Sequence, residues 1–214
     1  MRRFRDRRQA GRALGERLVE LGLGPETVVL ALPRGGVPVA AEVAAAIGAT
    51  FDVFVVRKLG VPHHRELAMG AIASGGIRVM NENVLASLHL RPDDIDAVVR
   101  AEEAELARRE AVYRGERPAP DLTGRTVVLV DDGLATGATM RAAVAAARQR
   151  GPERLIVAVP TGAAQTCEEL AGLVDDLVCL ASPEPYFAVG LSYDDFSPTT
   201  DGEITDLLRA QTMR

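Results

Sequence analysis

Residues 126–139 read Thr-Val-Val-Leu-Val-Asp-Asp-Gly-Leu-Ala-Thr-Gly-Ala-Thr, and no other stretch of the chain restricts the fold as tightly. The aliphatic run shows no alternation to polar residues, so it forms a strand buried on both faces. Two adjacent carboxylates, Asp131 and Asp132, end that strand. Small residues then lead into an alanine-rich helical run over residues 140–150. A strand, an acidic turn, a Gly/Thr loop and a helix, in that order, present backbone N–H groups to a phosphate. The neighbouring carboxylates can accept hydrogen bonds from vicinal sugar hydroxyls. A phosphate cradle beside a diol clamp points to a 5-phosphorylated ribose.

The rest of the chain repeats the strand–helix alternation from residue 27 to residue 180. Residues 27–32, 51–56, 154–159 and 176–180 read as short buried strands, and residues 37–47 and 163–173 as helices. This predicts an α/β fold with a doubly wound, mostly parallel sheet and right-handed crossovers. Apolar positions at helical spacing predict an N-terminal helix over residues 7–21, stopped by Gly22 and Gly24. A short helix over residues 81–88 and a longer one over residues 92–113 follow. The longer one carries opposite charges three and four residues apart, as a solvated helix face does, with Val98, Ala101 and Leu106 available for packing. Residues 117–124 are a linker, and a last helix covers residues 201–210. A mobile loop is expected around residues 62–66, then a small β element over residues 68–79 that turns at Ser74-Gly75-Gly76. The whole, residues 1–214, is expected to be one domain. Its core covers about residues 25–181, and a hood is made by residues 182–214 with the N-terminal helix.

Composition limits the function. A length of 214 residues supports one well-cored domain. The net charge of −5 disfavours a nucleic-acid partner. No apolar run approaches the roughly 18 residues of a membrane span. The basic N-terminus has no apolar segment behind it, unlike a secretory signal. A cytoplasmic protein without a membrane partner is expected, with Cys167 and Cys179 as reduced, buried thiols. The five arginines among residues 2–8 read as a solvated arm. Lys58 is the one lysine in the chain, which makes it a candidate for a role that arginine cannot fill.

Further candidates flank the central motif. Pro33-Arg34-Gly35-Gly36 directly follows the first strand, with glycines that let the main chain approach an anion and a cation to bind it. Tyr186, Phe187, Tyr193 and Phe196 crowd a segment past the last strand, either as a pocket for a flat ring or as a cap on the sheet. His63 and His64 are adjacent, point different ways and have no third ligand nearby, which argues against a metal site. Three alternatives fail on the sequence. A receiver domain needs a lysine on a later strand, and none follows Lys58. Neither the Gly-x-x-x-x-Gly-Lys loop of nucleotide hydrolases nor the Gly-x-Gly-x-x-Gly turn of dinucleotide folds is present.

With these residues in view, Val128 through Thr139 resembles the PRPP (5-phosphoribosyl 1-pyrophosphate) signature of type I phosphoribosyltransferases. The resemblance extends over most of the chain, with 33–36 as the pyrophosphate loop, Arg57-Lys58 at the start of a flexible loop and the aromatic tail as the hood. It implies that Asp131 and Asp132 hold the ribose hydroxyls. Ala135, Thr136, Gly137, Ala138 and Thr139 would cradle the 5′-phosphate. Arg34 and Gly35, flanking a peptide bond that is commonly strained in this family, would bind pyrophosphate with Arg57 and Lys58. Mg²⁺ is implied as the cofactor, held mainly through PRPP rather than by protein ligands. Arg34, Lys58, Asp131 and Asp132 would carry the chemistry, with Glu66 as the assisting loop carboxylate. Tyr186, Phe187 and Val189 would line the base pocket. The partners implied are PRPP and a small-molecule, nucleobase-like acceptor, and the resemblance alone points to a homodimer.

Two departures from the family pattern bear on the acceptor. Gly133 stands where an aliphatic residue is usual, which predicts a looser turn. Ala135 stands where members acting on 6-oxopurines carry an aspartate base, so the stretch is closer to adenine-type members. The alternative to an enzyme is a non-catalytic protein on the same fold that senses PRPP or a nucleotide.

Overall fold

The computed structural model describes residues 3–62, 64–88 and 91–212, without the side chains of Arg65, Glu66 and Thr212. In chain order the elements are α1 (Arg7–Glu20), β1 (Val28–Ala31), α2 (Gly36–Ile47), β2 (Phe51–Val53), β3 (Val56–Val61), β4 (His64–Ala73) and β5 (Ile77–Met80). They continue with α3 (Glu82–Ser87), α4 (Pro92–Arg114), β6 (Thr126–Val130), α5 (Ala138–Arg148), β7 (Arg154–Thr161), α6 (Ala164–Ala171), β8 (Asp176–Ala181) and α7 (Asp201–Thr212). A 3₁₀ turn at Val189–Ser192 precedes the last helix.

Among the described residues, five strands form a parallel sheet in the order β2-β1-β6-β7-β8. A second, antiparallel sheet has the order β3-β4-β5. The expected doubly wound sheet is therefore present. Its aliphatic strands have no polar alternation because both faces are covered. Val128 and Val130 pack with Leu14 and Leu18 of α1, Val39 and Val43 of α2, and Ile204 and Leu208 of α7. Val127 and Leu129 pack on the other face with Met140, Val144 and Ala147 of α5 and Leu170 of α6. Burying each Val or Leu of β6 contributes about 1.5–3 kcal/mol.

Chain direction reverses its winding between β1 and β6. α2 carries the chain from β1 outward to β2, whereas β6 lies on the other side of β1. Open α/β sheets bind ligands at such a switch point, outside the C-terminal ends of the strands. The turn after β1 and the loop after β6 both open there. Gly11 and Gly15 let α1 lie close on α2, since a Cβ on them would sit 2.7 Å from the Val39 carbonyl oxygen and 2.6 Å from Ala46 Cβ. That close packing brings the start of α1 to the same crevice.

Several local expectations are corrected. The 51–56 strand is two strands, because Phe54 and Val55 are buried while the chain passes between sheets. The aliphatic run is continuous there, so nothing in it marks the crossing. Arg57 and Lys58 consequently lie inside β3 rather than at the start of a loop. The loop expected over residues 62–66 is narrower, since β4 already begins at His64 and pairs with β3. His63 lies outside the described residues. The hairpin at Ser74-Gly75-Gly76 forms as expected, between β4 and β5. On α4, the expectation that Val98, Ala101 and Leu106 pack inward holds for Leu106 and for the half-buried Val98, whereas Ala101 is exposed and Val99 is buried as well. α4 is also pinned by its end. Arg114, 7% exposed, donates to Asp52 Oδ2 at 2.8 Å, to the Val53 carbonyl at 2.8 Å and to Glu110 Oε1 at 3.0 Å. Cys167 and Cys179 are free thiols behind the turn at Gly162. No described helix is long and apolar enough to cross a membrane.

Candidate active site

The loop after β6 is held from behind and left open in front. Leu134 N donates to the Thr161 carbonyl at 2.9 Å, and Ala163 N donates to the Leu134 carbonyl at 2.8 Å, which ties the loop to the end of β7. Thr166 Oγ1 donates to the Ala135 carbonyl at 2.7 Å. Arg141 donates to the Thr136 carbonyl and pairs with Glu169 at 2.9 Å. These contacts occupy carbonyl oxygens on the far side of the loop. The N-cap of α5, Gly137, supplies no side-chain hydrogen bond, so the first-turn N–H groups keep their capacity for an anion. A cavity of about 160 Å³ is lined by Asp131, residues 133–140 and Val189.

The turn after β1 abuts the acidic pair. A Cβ on Gly35 would lie 1.9 Å from Asp132 Oδ2, and one on Gly36 would lie 2.6 Å from the Val130 carbonyl oxygen. Only glycine permits this approach. The cis peptide bond of this turn joins Pro33 to Arg34, one bond before the Arg34–Gly35 bond to which the resemblance points. Arg34 itself is exposed.

The two carboxylates differ in their surroundings. Asp131 accepts from Asp132 N at 2.8 Å. Burial pushes its pKa well above the usual carboxylate value, and the charge of Asp132 adds to the effect. Burial also raises Asp132, but the Arg7 guanidinium opposes it. Arg7 Nε donates to Asp132 Oδ2 at 2.8 Å, and the two side chains are 11% and 13% exposed. Arg7 Nη1 donates to the Ser197 carbonyl at 2.8 Å, and the guanidinium lies 3.9 Å from the Phe196 ring centroid. Tyr193 OH donates to the Asp132 carbonyl at 2.6 Å. Among the described N-terminal arginines, Arg7 and Arg8 are thus not part of a free arm. Arg7 belongs to the site, and Arg8 pairs loosely with Glu42 and Glu203. No local signal distinguishes Arg7 from its neighbours, since its partners lie 125 and 190 residues away.

The remaining candidates are placed less uniformly. Arg57 is bound to Glu102 of α4 at 2.6 Å. Lys58 is exposed and lines a separate cavity of about 470 Å³ with Gly60, Val61, Pro62, Val98, Ala101 and Glu102. The Glu66 side chain lies outside the described part of the structure. Phe187 is 77% exposed. Tyr186 is half-buried, and its hydroxyl, shielded from solvent, has no hydrogen-bond partner among the described residues. Val189 reaches the loop directly, because a Cβ on Gly133 would meet its Cγ1 at 2.5 Å and Thr161 Cγ2 at 3.0 Å. The turn at Gly133 is therefore tight rather than loose. The space of the missing side chain is filled by Val189 and Thr161.

Parallel sheet, switch-point crevice, acidic pair and uncapped helix define an α/β protein of the open-sheet type. Residues 7–195 match the family model described as the phosphoribosyl transferase domain. Over 208 residues, 97% of this chain, the sequence is 49% identical to Rv0571c of Mycobacterium tuberculosis H37Rv, named provisionally as a phosphoribosyl transferase. That match covers 47% of the relative, so the chain spans about half the length of that curated protein. It is also similar to the crystal structure of TT1426 from Thermus thermophilus, with 43% identity, a TM-score of 0.87, and coverage of 97% of this chain and 98% of that one. A Neisseria gonorrhoeae protein solved with bound ppGpp shares the fold at 10% identity and a TM-score of 0.50, over 99% of each chain. The chain belongs to the phosphoribosyl transferase domain family and has its type I fold.

Proposed function

We propose that this chain transfers the 5-phosphoribosyl group of PRPP to a nitrogenous, nucleobase-like acceptor and releases pyrophosphate. The observation that carries this reading is that Asp131, the first carboxylate of the acidic pair, and the uncapped N-terminus of α5 line one cavity at the switch point. On this reading residues 135–139 hold the 5′-phosphate through backbone N–H groups and the hydroxyls of Thr136 and Thr139. Asp131 and Asp132 accept from the ribose hydroxyls. Gly35 and Arg34 face the pyrophosphate, and Lys58 and Arg57 reach it only if the β3–α4 contact rearranges. Glu66 remains the candidate loop carboxylate.

In the reaction the bond between C1 of the ribose and the pyrophosphate oxygen breaks, and its electron pair leaves with pyrophosphate. A bond from an acceptor nitrogen to C1 forms, and that nitrogen loses a proton. Positive charge builds on the ring and negative charge on the leaving group. Arg34 stabilises the leaving group where its charge develops, and the acidic pair stabilises the ring. The donor set suits Mg²⁺ carried on the substrate, because hard carboxylate oxygens stand nearby while Asp132 Oδ2 is already committed to Arg7. When bound, the ion would neutralise pyrophosphate oxygens. On this reading Tyr186, Phe187 and Val189 remain the candidate acceptor pocket. Ala135 offers no carboxylate for a 6-oxopurine, which favours adenine-like rings.

Pyrophosphate release from PRPP and Mg²⁺ with a panel of purine and pyrimidine bases tests this reading. Turnover with one class of base is the expected result. Tight PRPP binding without turnover on any base would replace the enzyme with a PRPP sensor.

A further inference from the structure

We propose that Arg7 is a positioning residue for the ribose clamp, fixing Asp132 so that one of its oxygens alone faces the sugar. This inference rests on the assignment of Asp131 and Asp132 to the ribose hydroxyls. Asp132 Oδ2 is gripped by Arg7 Nε at 2.8 Å and lies where a Gly35 Cβ would be. Among the described residues no donor is directed at Oδ1. Asp131 is similarly half-committed, with Oδ1 accepting from Asp132 N. Each carboxylate therefore offers one uncommitted oxygen, and a vicinal diol offers two hydroxyls. The match is one to one.

The grip on Asp132 is itself braced. Ser197 O takes a second N–H of the guanidinium, and the Phe196 ring covers its face at 3.9 Å. Phe196 stacks in turn on Tyr193, with centroids 5.2 Å apart, and Tyr193 OH holds the Asp132 carbonyl. The side chain and the backbone of one residue are thus fixed by one connected group. An arginine with its Nε and Nη1 committed and its face covered has little freedom to swing away when sugar arrives. Lysine would keep the charge but could not satisfy Asp132 and Ser197 with a planar fork.

Calorimetric titration with ribose 5-phosphate and its 2-deoxy and 3-deoxy analogues separates positioning from folding. All three ligands share the phosphate, so a generally damaged protein loses affinity for all of them. The native protein should prefer ribose 5-phosphate over the analogue lacking the hydroxyl read by Asp132 by roughly ten- to a hundredfold, as expected for a hydrogen bond to a charged group. Arg7→Gln should bring that ratio close to one while leaving affinity for the deoxy analogue within about twofold, and Arg7→Lys should fall between. Should Arg7→Gln fail to fold, as checked by its thermal unfolding, the lysine variant carries the comparison. An unchanged ratio in the Arg7 variants overturns the inference. So does tighter binding of every sugar phosphate, which would make Arg7 a plug. Asp132→Asn distinguishes the two levels, for a native ratio in that variant removes the clamp assignment itself, and Arg7 with it.

Discussion

Gly35→Ala tests the packing between the turn after β1 and the acidic pair with a single added carbon. Gly35 has φ −63° and ψ −31°, a conformation that alanine adopts without strain. Any effect therefore comes from contact. The new Cβ would stand 1.9 Å from Asp132 Oδ2, 2.6 Å from Cγ and 3.2 Å from Oδ1. The carboxylate has to retreat by more than about 1 Å to reach even a 3.0 Å contact, and that motion takes Oδ2 out of its 2.8 Å bond with Arg7. Overpacking costs about 1–3 kcal/mol, and a lost hydrogen bond between charged groups about 1.5–3 kcal/mol. Partial relaxation brings the expected total to about 2–4 kcal/mol, or a drop in Tm of roughly 5–15 °C for a chain of this size. All three obstructing atoms lie beyond Asp132 Cβ. In an Asp132→Ala background the same substitution should cost less than about 1 kcal/mol. Urea unfolding of the native protein, both single variants and the double variant measures this coupling. Additive costs would refute the reasoning, for they would place the obstruction in the backbone.

Two further outcomes are expected. Asp131 holds its proton more tightly folded than unfolded, so its contribution to stability is complete at low pH and is lost as pH rises from about 3.8 through the raised folded pKa. Asp131→Asn keeps an acceptor for Asp132 N without the charge, so its Tm should exceed that of the native protein at pH 8 and converge with it near pH 4. A pH-independent difference would contradict the burial argument. Gly133→Ile, which restores the aliphatic type usual in the family, should destabilise by about 1–3 kcal/mol because Val189 and Thr161 already fill the space. Val189→Ala should relieve most of that cost, and a loss in urea unfolding that Val189→Ala leaves untouched would show that the clash lies elsewhere.

The parallel sheet was legible because burial on both faces removes alternation, and residues 127–130 state that burial directly. The acidic turn and the loop into α5 were legible for a related reason, since a short contiguous segment contains the cavity wall that it forms. Features that depend on distant partners were not. The break between β2 and β3 falls inside a continuous aliphatic run, because Phe54 and Val55 stay buried while changing sheets. Gly133 looked like slack in a turn, and only the approach of Val189, 56 residues later in the chain, shows that it is a contact. Arg7 was indistinguishable within its cluster. Arg57 was expected at the start of a loop and lies inside β3, where its partner Glu102 comes from a helix whose charges read as solvated.

The brace around Asp132 also bears on the order in which the molecule assembles. Its members come from residues 4–7 and 193–197, with Phe4 bridged to Tyr193 across the same seam. The five parallel strands end at Ala181, so every strand of the sheet precedes the segment that supplies Tyr193, Phe196 and Ser197. Contacts between such distant segments form late, since the chain entropy between them must be lost first. Asp132 would then be braced only after the sheet has formed, and a fragment ending within the 3₁₀ turn would carry the loop after β6 without the contacts that fix Arg7.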